Sequence, residues 1–183
     1  DVLMITMLGT TEDVSLYNIP FRITREAAEL RIALLAGFFP VMIKQVREQS
    51  LSKAKFKKFT FSVLFLILTI ATIVSYYSGD LVIFIFGEKF AYSGEILSVL
   101  VYFIAVDYAI YPYILVLLAS KNEKTVAGIF VVLAIANVLL NYLLFKAYGV
   151  IGIAYSTLIV MILLGILTYT IGMKKLIQTK VFA

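Results

Sequence analysis

The sequence predicts an all-α, polytopic bundle of transmembrane helices, and three observations lead there. Apolar residues make up 62% of the chain and charged residues 15%, with a mean hydropathy of +1.02. A soluble domain is about half apolar and about a quarter charged. The apolar excess is also gathered into blocks: residues 59–79, 125–145 and 147–173 carry no charge at all. Each block is about 20 residues or longer, enough for a helix to cross a hydrocarbon core about 30 Å thick. Finally, the segments between the blocks alternate in charge, as loops on opposite sides of a membrane do.

Taken in order, residues 1–9 form a truncated first span that ends at Gly9. The chain opens at Asp1 inside an apolar stretch, so it reads as the middle-to-end of a longer protein whose N-terminal half is a required partner. Five complete spans follow at about 14–43, 59–79 (with an apolar extension to Phe86), 96–120, 125–145 and 150–173. Gly9, Gly79, Gly87 and Gly149 punctuate their ends, and Pro40 falls in the last turn of the second segment.

The connections fix an orientation. Residues 9–13 carry Glu12 and Asp13. Residues 44–58 hold Lys44, Arg47, Lys53, Lys55, Lys57 and Lys58 against Glu48, six positive and one negative, for +5. Asp80, Glu88 and Glu95 outweigh Lys89 in the next connection. Lys121, Lys124 and Glu123 give a small positive turn, and the tail adds Lys174, Lys175 and Lys180. Lys/Arg excess marks the cytoplasmic side, so the 44–58 loop and the C-terminus are expected inside a multi-pass protein of the cytoplasmic membrane. Lys146 alone dissents, and a long side chain can snorkel to the interface. The 44–58 loop is either this topology signal or a patch for anionic headgroups of membrane lipids. Nucleic acid is not an expected partner, because no interleaved aromatics or recognition fold accompany the charge.

The second segment breaks the apolar pattern with Arg22, Arg25, Glu26, Glu29 and Arg31. At about 100° per residue, Arg22, Arg25, Glu26 and Glu29 share a narrow arc with Ser15 and Asn18, continued by Ala33, Ala36 and Gly37. Arg31 points the other way. Each charge costs about 2.5–3.5 kcal/mol at mid-membrane, so five facing lipid would cost more than about 10 kcal/mol. The stripe must face protein or a water-filled cavity. Either Arg22–Glu26 and Arg25–Glu29 neutralise each other as i,i+4 pairs, or the stripe lines a substrate path.

Asp107, shortly before Tyr111 and Pro112, is either a coupling-ion or proton site or the partner of an arginine from the charged segment. Asn137 and Asn141, four apart, share a face as substrate contacts or as interhelical hydrogen bonds. Tyr76, Tyr77, Tyr102, Tyr108, Tyr111 and Tyr113 suit sugar stacking or, more simply, interfacial belts. Without cysteine or histidine there is no disulfide framework, thiolate metal site or imidazole base. No P-loop, HExxH or GxSxG is present, and Asp1 and Asp107 have no spacing that suggests a hydrolytic pair. No enzyme, cofactor or metal is expected.

These residues also carry a family resemblance. Asp1-Val2-Leu3-Met4 is similar to the opening of the seventh span of polysaccharide flippases, the O-antigen type within the multidrug/oligosaccharidyl-lipid/polysaccharide exporter superfamily. Val14-Ser15-Leu16-Tyr17 resembles that family's V-G-x-Y, with Ser15 for glycine, followed by Arg22-Ile23. Phe39-Pro40, then Phe86-Gly87-Glu88-Lys89-Phe90 with Glu95-Ile96-Leu97, and the final hairpin with Asn137, Asn141 and the run from Tyr148 to Ala154 follow in the same order. The resemblance covers nearly the whole chain and implies the C-terminal lobe of a two-lobed, alternating-access transporter. It implies transfer of lipid-linked oligosaccharide across the membrane, with cavity cations meeting diphosphate or acidic sugar. No family motif maps onto Arg22, Arg25 or Arg31. A lipid II flippase or cation-coupled drug exporter of the superfamily is the nearest alternative, and a membrane-embedded glycan polymerase or ligase the alternative of another class.

Overall fold

The computed structural model describes residues 1–178, and every regular element among them is helical. The elements are α1 (Val2–Leu8), α2 (Thr11–Leu35), α3 (Phe39–Arg47), α4 (Lys53–Tyr76), α5 (Ser78–Phe86), a 3-10 turn (Glu88–Phe90), α6 (Ala91–Ala119), α7 (Glu123–Tyr148), α8 (Val150–Leu167), a π-turn (Thr168–Gly172) and α9 (Met173–Gln178). Lys180 of the basic tail lies outside the described residues.

Among the described residues four helical stretches are long and apolar enough to cross a membrane: Lys53–Tyr76, Glu88–Ala119, Glu123–Tyr148 and Val150–Ile171. Of the five complete spans expected, these stretches match four; the one expected over 14–43 is not among them, because α2, though 25 residues long, carries too many charges to count as an apolar crossing helix.

The bundle is built around α6. Fourteen of its residues are buried, including Ile96, Leu100, Tyr108 and Leu117. One core joins Ile5, Tyr17, Ile96, Leu100, Val150 and Ile153 at the end that carries Glu12, Asp13 and Glu88. Another joins Val46, Leu51, Phe56, Tyr113, Leu117, Val126 and Met173 at the end that carries the lysine-rich loop. A third, with Ile110, Ile129, Leu133 and Leu164, lies between them. These pairings run α2 and α8 alongside α6 in the same direction, and α4 and α7 against it. The acidic and basic connections are thereby sorted to opposite ends.

Helix ends follow local chemistry. Thr10 Oγ1 accepts from the Asp13 amide at 3.2 Å and Asp13 Oδ2 accepts from the Thr10 amide at 2.7 Å, a capping box that starts α2. The segment expected to run unbroken over 14–43 stops instead at Leu35. Pro40 has no N–H to offer the preceding turn, so it opens α3 and does not close α2. Within α2, Pro20 likewise cannot bond the Leu16 carbonyl, and Ser93 Oγ of α6 donates to that oxygen at 2.7 Å. Helix α4 begins at Lys53, six residues before the apolar block, because lysine is a good helix former and Ser52 caps it. Nor does Gly79 end a span. The chain turns at Tyr77 and re-forms as α5, and Gly79 is where α6 crosses: a Cβ on Gly94 would lie 2.7 Å from the Gly79 Cα. Gly149, at φ +67°, makes the tight α7–α8 turn that positive φ permits.

Candidate functional site

A cleft of about 310 Å³ opens between α2 and α6, lined by Phe21, Thr24, Arg25, Glu29 and Arg31 of α2 and by Phe103 and Asp107 of α6, with Asp1 and Thr157 at its edge. The helix-face reading of α2 places these residues. Tyr17, Pro20, Thr24 and Leu35 form its buried side, while Ser15, Arg22, Arg25, Glu26 and Glu29 are exposed. Asn18 is half-buried on the same exposed arc.

Two electrostatic arrangements stand out. Arg31, on the side opposite the stripe, forms an ion pair with Asp107 of α6. Its guanidinium carbon sits 4.0 Å from the centre of the Tyr111 ring, a cation–π contact. Asp107 is thus taken up by an arginine, and Arg31, without a partner on its own helix, finds one across the bundle. The pair is mostly buried, at 16% and 14% side-chain exposure, and Arg31 Nε has no partner. Tyr108, one residue on, donates its hydroxyl to the Ala27 carbonyl at 2.8 Å, tying α6 to α2.

By contrast, the intrahelical pairs Arg22–Glu26 and Arg25–Glu29 do not form. Among the described residues the ion pairs are Arg31–Asp107 and Lys44–Glu48. The exposed stripe therefore keeps two arginines and two carboxylates unpaired on a helix flanked by apolar surface. Elsewhere the exposed surface is of the opposite kind, with Phe61, Phe65 and Leu66 on α4 and Val131, Val132, Ile135 and Leu139 on α7.

The second arrangement centres on Asp1, which sequence reasoning passed over as half of a failed hydrolytic pair. Its Oδ2 accepts from Thr157 Oγ1 at 3.0 Å and from the Tyr17 hydroxyl at 3.2 Å, and its Oδ1 accepts from Asn141 Nδ2 at 3.1 Å. Asn141 Nδ2 also donates to Asn137 Oδ1 at 3.1 Å. Asn137 and Asn141 thus do share a face, and they meet a carboxylate. The Asn141 Oδ1 atom is buried without a hydrogen-bond partner, which normally costs about 1–3 kcal/mol. One carboxylate, two amide oxygens and two hydroxyls converge here, a hard oxygen set of the kind that suits a small cation. Only a faint signal was present in the sequence: Asp1 is a carboxylate directly before an apolar run, eight residues from the turn at Gly9, just as Thr157 lies eight residues beyond the turn at Gly149. No group of three His, Cys, Asp or Glu side chains gathers among the described residues.

Arg25, Glu29, Arg31 and Asp107 thus line one cleft, and Asn137 and Asn141 reach it through Asp1. Arg22 and Glu26 share the α2 face outside the cleft lining. Comparison of the chain with protein-family models, with curated proteins and with solved structures found no match.

Proposed function

We propose that this chain is the C-terminal lobe of a membrane flippase that moves lipid-linked oligosaccharide precursors from the cytoplasmic to the outer leaflet by alternating access. The observation that carries this reading is the unpaired charged face of α2. Arg22, Arg25, Glu26 and Glu29 are exposed between lipid-type apolar surfaces, a position tolerable only against a water-filled path or a second polar lobe. Within such a path Arg25, at the cleft, offers a planar fork of donors to a diphosphate or an acidic sugar. Arg31 supports the cleft wall through Asp107. The basic end of the bundle lies in the cytoplasm, in keeping with its lysine excess, which puts the C-terminus there too.

Cation coupling fits the Asp1 cluster better than Asp107, because Asp107 already has a guanidinium partner and Asp1 has none. That observation favours, as a second reading, a cation-driven exporter of smaller amphiphiles built on the same lobe. The two readings separate in proteoliposomes holding the full-length protein. A flippase moves fluorescent lipid-linked oligosaccharide, and Arg25→Ala lowers its rate at least about tenfold, the loss of one charge-assisted contact, while Arg25→Lys retains part of it. Drug efflux driven by Na⁺ or H⁺, with no movement of lipid-linked sugar, would rule the leading reading out.

A further inference from the structure

At the basic end of the bundle a second hollow, about 490 Å³, lies between α3 and the start of α4. Its walls are apolar: Phe38, Val41, Met42 and Phe59 line it, with Phe56 beneath. The Phe38 and Phe59 rings meet at 5.2 Å between centroids, and Phe38 and Val41 are more than half exposed. Helix α3 is amphipathic. Met42 and Val46 face the core cluster with Tyr113 and Leu117, while Lys44, Arg47 and Glu48 are exposed.

The rim is polar and one-sided in charge. Gln45, Ser50, Ser52 and Lys55 line it, and no carboxylate does. Lys53 and Lys58 stand within one helical turn of Lys55 on α4. Glu48, the one acid between residues 44 and 58, pairs with Lys44 at 3.9 Å. Among the described residues Lys53, Lys55 and Lys58 have no anionic partner. An apolar slot of this volume is the size of a small-molecule site, and it opens at the end of membrane-crossing helices beside a cluster of unpaired ammonium groups.

We infer that this groove holds an anionic phospholipid of the surrounding leaflet, its acyl chain along Phe38, Val41, Met42 and Phe59 and its phosphate at Lys55. Both halves of the site are required. The lysines alone would serve any negative surface, and the apolar slot alone any lipid, whereas together they select a chain with a net negative headgroup. A zwitterionic lipid carries its own ammonium towards the lysines and loses the advantage. The site does not depend on what the α2–α6 cleft carries. It turns the lysine-rich connection from a purely topological signal into a lipid-recognition element.

Native mass spectrometry of the full-length protein in detergent tests this, titrated with phosphatidylglycerol or phosphatidylcholine of identical acyl chains. Phosphatidylglycerol should bind about fivefold more tightly, the preference expected for one lysine at an anionic headgroup. Lys55→Gln should abolish that preference, and Val41→Trp should reduce adducts of both lipids by filling the slot. Lys124→Gln, an exposed lysine elsewhere at the same end, should keep it. Should Val41→Trp fail to fold, Lys55→Gln at an exposed position decides alone. Equal binding of the two lipids, or an undiminished preference in Lys55→Gln, would overturn the proposal. So would displacement of phosphatidylglycerol by excess inorganic phosphate, which would mark a site for free phosphate.

Discussion

Arg31 and Asp107 illustrate how a charge becomes tolerable inside an apolar bundle. Each has lost most of its water, and each would be costly alone. Together they form an ion pair, with the Tyr111 ring against the guanidinium. Removing one partner leaves the other buried and uncompensated, which costs about 3–5 kcal/mol, while replacing both with apolar side chains of similar size is close to neutral. Asp107→Leu should therefore lower the thermal stability of the purified protein sharply, and Arg31→Met with Asp107→Leu should restore much of it. Additive losses in that cycle would show that the pair is not a unit. From sequence, an arginine partner for Asp107 was one of two open options, but which arginine was not legible. Helical periodicity assigns residues to faces of their own helix, and it says nothing of which neighbour a face meets. Asp1 was harder still, because Tyr17, Asn141 and Thr157 converge on it from three helices and their sequence separations carry no common period.

Among the elements, the errors in span boundaries share a cause. Hydropathy finds where a helix is apolar, not where it begins. Helix α4 starts in its lysines, α6 starts at Ala91 and not at Ile96, and the 14–43 segment is two helices because Pro40 initiates the second. Backbone contact sets other limits. At Gly152 a Cβ would lie 2.1 Å from the Leu144 carbonyl oxygen, a distance no relaxation of a side chain can relieve, since the obstacle is main chain. Gly152→Ala should therefore force α7 and α8 apart, with loss of folded protein in a detergent melting assay. Gly128→Ala, where an added methyl group meets nothing within 4 Å, should be neutral or slightly stabilising, as alanine is the better helix former by about 1 kcal/mol. Equal behaviour of the two variants would mean that the α7–α8 approach is looser than described. The glycine run before Ala154 was visible in the sequence as part of a family-like hairpin. Its steric reason was not, because it depends on how closely two helices approach.

For the whole molecule, the perimeter divides into two kinds of surface. Exposed Phe61, Phe65 and Leu66 of α4 and Val131, Ile135 and Leu139 of α7 suit hydrocarbon, and exposed Arg22, Arg25, Glu26 and Glu29 of α2 do not. This division was the most legible feature of the sequence, since a stripe of charges at helical spacing among apolar spans has few physical resolutions. What occupies the space in front of α2 is the central claim, and water access measures it directly. These 183 residues contain no cysteine, so once any cysteine elsewhere in the full-length protein is replaced, single cysteines can be placed on α2 and α7 in membranes and treated with a small, charged thiol reagent. Cysteines replacing Arg22, Arg25 and Glu29 should react, with those replacing Tyr17 on the buried face and Ile135 on α7 protected. Protection of the α2 stripe, or reaction at Ile135 as fast as at Arg25, would contradict a water-filled path along α2.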